Sequence, residues 1–198
     1  MDKKDLPVLK FTIKEDDPNS GVEFVALVDD PAIKLNWMAF NSHKQQFQVV
    51  SEDKRIISGA LMVADMPIYR KGNTPELPEY YCVFDSPTIN QIVKKFFKEK
   101  RSSSVNLMHE PDMKVNDVYM YESFIIDSER GINPPKGFEG LANGSWFGTF
   151  KVDNPTVWEQ VKNGTFKGFS VEGFFETDKS KEAKMMDDII EILELIEH

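Results

Sequence analysis

The sequence contains few of the residues on which several kinds of functional site depend. Among its 198 residues there are one cysteine and three histidines. The single cysteine, Cys82, excludes a disulfide within the chain and is typical of a reducing compartment. Only His43, His109 and His198 could join it around a zinc ion, which is too few for a convincing zinc site. We therefore expect neither a metal nor another cofactor.

Excess positive charge and long apolar runs are also missing. The net charge is −9 and the pI is about 4.9, which disfavours sequence-independent binding to nucleic acid. No apolar run approaches the ~18 residues of a membrane span. The first residues, 1–6, lack the apolar segment of a signal peptide. We therefore expect a soluble protein of the cytoplasm, with neither nucleic acid nor a membrane as its partner.

The composition is that of a folded protein, with 40% hydrophobic and 12% aromatic residues. Short alternating apolar segments predict many strands, and few segments have helical spacing. The predicted strands are Leu9–Ile13, Val22–Val28, 47–50, Arg55–Ala64, Tyr80–Phe84, Ser103–His109, Val118–Asp127, Trp146–Val152 and 165–176. We predict an ordered loop between Pro67 and Pro78, because glycine, asparagine and proline are concentrated there. The pattern indicates an α+β, mainly β protein built on a closed or nearly closed β barrel.

Three segments are predicted to be helical. Ser86 and Pro87 provide an N-cap and a first-turn proline for a helix whose apolar stripe is Ile89, Ile92, Val93, Phe96 and Phe97. A short helix follows Asn154, and residues 180–197 form an acidic amphipathic helix at the end of the chain. Together these patterns divide the chain into N-terminal strands with an arm (1–46), a central barrel (47–177) and a C-terminal helix (178–198).

Ser170 is the first candidate for chemistry. It lies in a strand between Gly168 and Gly173, where another backbone can approach closely. By alternation Ser170 shares a strand face with Glu172. The strand continues past the serine, so this is not the strand–turn–helix nucleophile elbow of an α/β-hydrolase. An ordinary strand serine is the plain alternative.

His109 and Glu122 are candidate partners for Ser170. A serine hydroxyl needs a nearby base to become nucleophilic, and His109 ends a predicted strand whose face it shares with Val105 and Leu107. Glu122 is predicted to share a face with apolar neighbours, where a carboxylate needs a partner, and a histidine is a natural one. The alternatives are a half-buried histidine bonded to a backbone carbonyl and a glutamate facing water.

Several segments form a recognisable set: Asn106–His109, Tyr121–Asp127, Ser145–Gly148 with the strand that follows, and above all Val157–Gly164 and Lys167–Gly173. Taken together, these segments resemble the XkdF-like family of phage prohead serine proteases. The segment Gly21–Ile33 also resembles the start of such phage proteins. The resemblance implies a fold similar to the herpesvirus protease, a β barrel surrounded by helices.

The resemblance further implies a serine endopeptidase that cuts scaffolding and capsid proteins inside the assembling prohead in the host cytoplasm. Ser170 would be the nucleophile and His109 the general base. Glu122 is the chosen third member, ahead of His43 and Glu172. A homodimer, self-cleavage and the oxyanion donors remain open.

Two readings from other classes compete with this one. The chain could be a non-catalytic scaffold or assembly protein that keeps the protease fold, which the acidic C-terminal helix would suit. It could also be a structural head protein with the apolar segment 37–40 as a contact surface. A separation of Ser170 and His109 beyond hydrogen-bonding reach would favour the scaffold.

Overall fold

The computed structural model describes residues 6–29, 46–74, 77–110 and 113–177. The predicted C-terminal helix, the segment 37–40, His43 and His198 lie outside these ranges. In the described ranges the structure is mainly β, with two α-helices. The strands are β1 (Val8–Thr12), β2 (Gly21–Val28), β3 (Gln48–Ser51), β4 (Ile56–Met62), β5 (Ile68–Thr74), β6 (Leu77–Val83), β7 (Val105–Leu107), β8 (Val118–Ile125), β9 (Trp146–Val152), β10 (Gly168–Phe174) and β11 (Glu176–Thr177), and the helices are α1 (Ser86–Lys98) and α2 (Pro155–Lys162).

The strands form three hydrogen-bonded sheets. Their orders are β11-β1-β6-β5, β10-β2-β7 and β3-β4-β9-β8. Within the described ranges these sheets do not close into a barrel, so the prediction of a closed or nearly closed barrel is wrong. Strands β10 and β4 lie side by side, and Phe47 N donates to Lys167 O at 3.0 Å, but no continuous ladder joins the two strands. Alternation in a sequence indicates strands, whereas closure depends on a continuous register between edges.

The core lies between the sheets and is rich in large aromatic side chains. Trp146, Phe96, Phe150 and Phe169 are all at most 1% exposed. The rings of Phe150 in β9 and Phe169 in β10 have centroids 4.6 Å apart, so they join two of the sheets. Burying these rings supplies much of the apolar area that stabilises the fold. The strand that carries Ser170 is therefore anchored in the core by the residue immediately before it.

Helix α1 confirms the helical spacing read from the sequence. Ile89, Ile92 and Phe96 are buried on one face. The N-cap is Asp85 and not Ser86, because the Asp85 carboxylate accepts from Thr88 N at 3.0 Å. Proline at the second helical position fits this shift of one residue, since its missing N–H is one that lacks a partner within the helix.

The interval from Pro67 to Pro78, predicted as a loop, forms strands β5 and β6. Ile68, Tyr69 and Arg70 pair antiparallel with residues 80–82 of β6. The ladder becomes irregular beyond Lys71, where the glycine and proline residues lie. In the sheet order β5 is an edge strand, where glycine and irregular register are tolerated. Pairing of β5 with β6 therefore outweighed the loop preference of the glycine and proline residues in this interval.

None of the helices in the described ranges is long and apolar enough to cross a membrane.

Candidate active site

Ser170 lies near the start of β10 with its side chain on the face opposite the core. Of its two neighbours, Phe169 belongs to the main hydrophobic core and the partly buried Val171 packs against that core. Ser170 pairs with Ala26 of β2 in the antiparallel ladder. Ser170 is 5% exposed, so its hydroxyl is largely shielded from water. The nucleophile candidate is thus fixed on a rigid strand and not on a loop.

His109 lies in a tight turn after β7. The strand ends at Leu107, and Met108 and His109 have positive φ angles of 54° and 63°. Glu110 N donates to Leu107 O at 3.0 Å and closes the turn. The predicted strand Ser103–His109 is therefore too long, and His109 does not share a strand face with Val105 and Leu107. Two consecutive residues in the left-handed region interrupt the alternation on which that prediction depended.

The imidazole of His109 contacts the carboxylate of Glu172. The distance from His109 Nδ1 to Glu172 Oε1 is 2.7 Å, with side-chain exposures of 42% and 22%. Glu172 lies two residues after Ser170 in β10, and the ladder is regular between them, so both side chains are on the same face. A proton on Nδ1 that is donated to this carboxylate leaves Nε2 as the free acceptor. The contact thus holds the histidine on the Ser170 face in a tautomer suited to a general base.

Glu122, the predicted third member, lies in a different sheet. It pairs with Thr149 in the β8–β9 ladder and lines a cavity with Ser58 and Phe124. A register shift between Met120 and Glu122 breaks the alternation, so Glu122 is exposed while Met120 is buried. The premise that Glu122 lies among buried apolar side chains is therefore wrong. The carboxylate at His109 belongs to Glu172, and the sequence signal for it was the face that it shares with Ser170.

Ser170 and His109 are not hydrogen-bonded to one another in this structure. Among the described residues, the side-chain partner of His109 is Glu172. Catalytic contacts are often long in the free enzyme and shorten when substrate binds. The arrangement brings the imidazole of His109 and the carboxylate of Glu172 together, with Ser170 on the same sheet face.

Comparison with protein families gives one assignment. The family model described as "Putative phage serine protease XkdF" matches residues 46–179, more than half of the chain. The chain belongs to this family. Comparison with curated proteins and with solved structures gives no match. The matched range includes Ser170, His109 and Glu172, so all three candidate residues lie within the XkdF-family segment.

At the bulge after Glu172, the backbones of β10 and β2 in this XkdF-family chain approach each other closely. The ladder shifts between Glu172 and Gly173. A Cβ added to Gly173 would lie 1.8 Å from Gly21 O, so only glycine fits there. The sequence predicted a close backbone approach near Ser170. The structure shows that the approaching backbone at Gly173 is the neighbouring strand β2.

A mostly apolar cavity lies beside Ser170 and Val171. It is lined further by Leu61, Met62, Phe84, Phe175 and Arg70. Around the site, Met108, Met113 and Phe174 are 41%, 53% and 66% exposed. Apolar surface of this kind suits the side chains of an extended peptide. Among the described residues, no group of three or more histidine, cysteine, aspartate or glutamate side chains could hold a metal ion.

Proposed function

We propose that this chain is a serine endopeptidase of phage head assembly, with Ser170 as nucleophile, His109 as general base and Glu172 as the carboxylate that orients His109. The observation that carries the proposal is the 2.7 Å contact between His109 Nδ1 and Glu172 Oε1 on the sheet face that holds Ser170. Membership of the XkdF family, which is described as a phage serine protease family, supports hydrolysis of peptide bonds by a serine. Glu172 replaces Glu122 in this proposal because of its position.

The proposed reaction is acyl transfer through a covalent intermediate. As His109 Nε2 takes the hydroxyl proton, Ser170 Oγ attacks the peptide carbonyl and a C–O bond forms. The carbonyl π electrons move to its oxygen. When they return, the C–N bond breaks and His109 gives the proton to the leaving amine. Water then hydrolyses the acyl-enzyme by the same steps, and Glu172 stabilises the imidazolium formed in each half.

The proposed substrates are the scaffolding protein and the major capsid protein of the phage, cut inside the assembling prohead in the host cytoplasm. This choice comes from the resemblance described above, with the phage family as support. The mostly apolar surroundings of Ser170 are consistent with a peptide substrate.

One observation favours the rival function, a non-catalytic assembly protein. Ser170 is 5% exposed and is not hydrogen-bonded to His109. A serine that never meets its base would leave the chain with the fold of a protease and no activity. The two functions differ in a measurable way, because only the protease shortens other proteins.

The deciding experiment is co-expression of the chain with the major capsid protein of its phage, followed by intact-mass measurement of both. The wild type is compared with Ser170→Ala and with Ser58→Ala. Ser58 is a matched control because it is also a strand serine and is 6% exposed, but it bonds Thr149 in another sheet. Truncation of capsid protein with wild type and Ser58→Ala, and its loss with Ser170→Ala, is the expected result.

Full-length capsid protein in all three samples, with head assembly still proceeding, would support the assembly protein. A fluorophosphonate probe gives an independent readout, since it labels activated serines. Labelling of Ser170 in the wild type that is lost in His109→Ala would support the protease. No labelling of folded wild type would count against it.

A further inference from the structure

Asn106 is a buried amide without a partner. The residue is 0% exposed, and neither Nδ2 nor Oδ1 has a hydrogen-bond partner. In the part of the chain that the structure describes, no other buried side chain has this property. Buried polar groups are nearly always paired, because an unpaired one destabilises the fold. A buried amide without a partner therefore suggests a functional use.

The strand register places Asn106 in one row with Ser170. Ser170 pairs with Ala26, and Ala26 pairs with Asn106 of β7. The neighbours of Asn106, Val105 and Leu107, pack on the core, so its side chain lies on the opposite face. That face is the one that holds Ser170. Ala26, between the two, has the smallest side chain that a strand residue other than glycine can offer.

The spacing of this row suits one carbonyl group between its ends. Two strand separations of ~4.8 Å put the Cα atoms of Ser170 and Asn106 roughly 9.6 Å apart. Side chains on one face of a sheet stand roughly perpendicular to it, so the Ser170 hydroxyl and the Asn106 amide flank the space above the Ala26 methyl group. An oxyanion donor needs to lie ~3 Å from the oxygen of a carbonyl under attack by the serine. A carbonyl carbon bonded to Ser170 Oγ, with its oxygen directed toward β7, would fill the gap.

We propose that Asn106 Nδ2 donates a hydrogen bond to the substrate carbonyl oxygen while Ser170 attacks it, which makes Asn106 a catalytic residue. This inference rests on the proposed protease function. The donated bond strengthens as the π electrons of the carbonyl move onto its oxygen, and no proton is transferred to or from Asn106. Ser170 and Asn106 are 5% and 0% exposed, so the hydroxyl and the amide share one shielded face of the sheet.

The test uses Asn106→Leu, which keeps a similar shape and removes the unpaired amide. Cleavage of a capsid-derived peptide should lose roughly 10²–10³-fold in kcat with little change in KM, the usual result of removing one oxyanion donor. The melting temperature should stay the same or rise, because a buried polar group without a partner is removed. Asn106→Val provides a second variant with high strand propensity in case the first fails to fold.

Thr149→Val is the matched control. Thr149 is buried and accepts a hydrogen bond from Ser58 at 2.9 Å, so its replacement should lower the melting temperature and leave kcat unchanged. Wild-type kcat in Asn106→Leu would overturn the proposal. So would a fall in activity that only follows a fall in folded protein. If the wild type itself neither cleaves the peptide nor reacts with a fluorophosphonate, the protease function fails, and this inference fails with it.

Discussion

The imidazole of His109 and the carboxylate of Glu172 lie 63 positions apart in the chain and meet at 2.7 Å. Two local features produce this meeting. One is the left-handed turn at Met108 and His109, which ends β7. The other is the regular alternation of β10, which puts Glu172 on the face of Ser170. The contact therefore connects the turn after β7 to the strand that carries the proposed nucleophile.

Replacing Glu172 by glutamine should reduce catalysis. Glutamine keeps the shape but cannot stabilise an imidazolium, and it can bind the wrong tautomer of His109 through its amide. We expect a loss of at least about tenfold in kcat/KM, and up to the order of 10⁴-fold if Glu172 acts as the orienting carboxylate of a serine protease triad does. The measurement is peptide cleavage by purified Glu172→Gln.

Glu122→Gln is the paired control for that experiment. Glu122 is exposed in β8 and lies in another sheet, so this variant should keep wild-type kcat/KM. If Glu122→Gln lost activity and Glu172→Gln kept it, the original sequence prediction would be restored and the assignment of Glu172 would be wrong.

Gly173→Ala should severely destabilise the protein. The added methyl group would lie 1.8 Å from Gly21 O, which is backbone and cannot turn away. Strands β10 and β2 would have to separate, so we expect a loss of more than about 3 kcal/mol in the free energy of unfolding. Urea denaturation measures it. Gly140→Ala is the control, because nothing lies within 4 Å of the Cβ added there. Equal stability of the two variants would contradict the close approach.

Features that depend on residues close together in the chain could be predicted from the sequence, and features that depend on pairing between distant strands could not. Helix α1 was readable because its apolar spacing and its proline are local signals. The predicted strand Trp146–Val152 has the same bounds as β9. Glu122 was misjudged because a bulge beside it depends on pairing with β9. Closure of a barrel likewise depends on pairing between distant edges, which alternation along one strand does not encode.

His109 shows the same limit at the site. Its residue type marked it as a candidate base, and the family match is compatible with that role. Its partner could not be derived from spacing, because the turn at Met108 and His109 directs the side chain away from the strand alternation. For Glu172, the sequence predicted only that it shares a strand face with Ser170, not that it contacts His109.

Asp85→Asn should reveal a pH-dependent contribution to stability. Burial acts to raise the pKa of Asp85, but hydrogen bonds from Lys10 and Thr88 outweigh it and lower the pKa below its usual 3.8. A lowered pKa means that the charged form is favoured in the folded state. Its contribution is complete above the unfolded pKa and is lost as pH falls through the folded pKa. At pH 7 the variant should be less stable by roughly 0.5–1 kcal/mol.

The check is urea denaturation of both proteins at pH 7, 5, 4 and 3. The difference should be constant from pH 7 to 5 and should shrink below pH 4. Asparagine also caps helices well, so Asp85→Asn isolates the charge. Asp85→Ala, which loses the cap as well, should remain destabilised at every pH. A difference for Asp85→Asn that does not change with pH would show that the Lys10 contact contributes no charge-dependent stability.

The thiol of Cys82 should be unreactive in the folded protein, which separates a serine from a cysteine mechanism. Burial raises the pKa of Cys82, and the residue is 1% exposed. Because the thiolate is the reactive form, both effects slow alkylation. Cys82 lines the same cavity as Ser170, so it is the thiol to exclude as the nucleophile.

Iodoacetamide at pH 7.5 should label native protein at least about 100-fold more slowly than protein unfolded in urea, and cleavage should continue during the labelling. Cys82→Ala identifies the labelled site. Rapid labelling of native protein would show that the thiol is accessible, and loss of cleavage in Cys82→Ala would then assign the chemistry to the thiol.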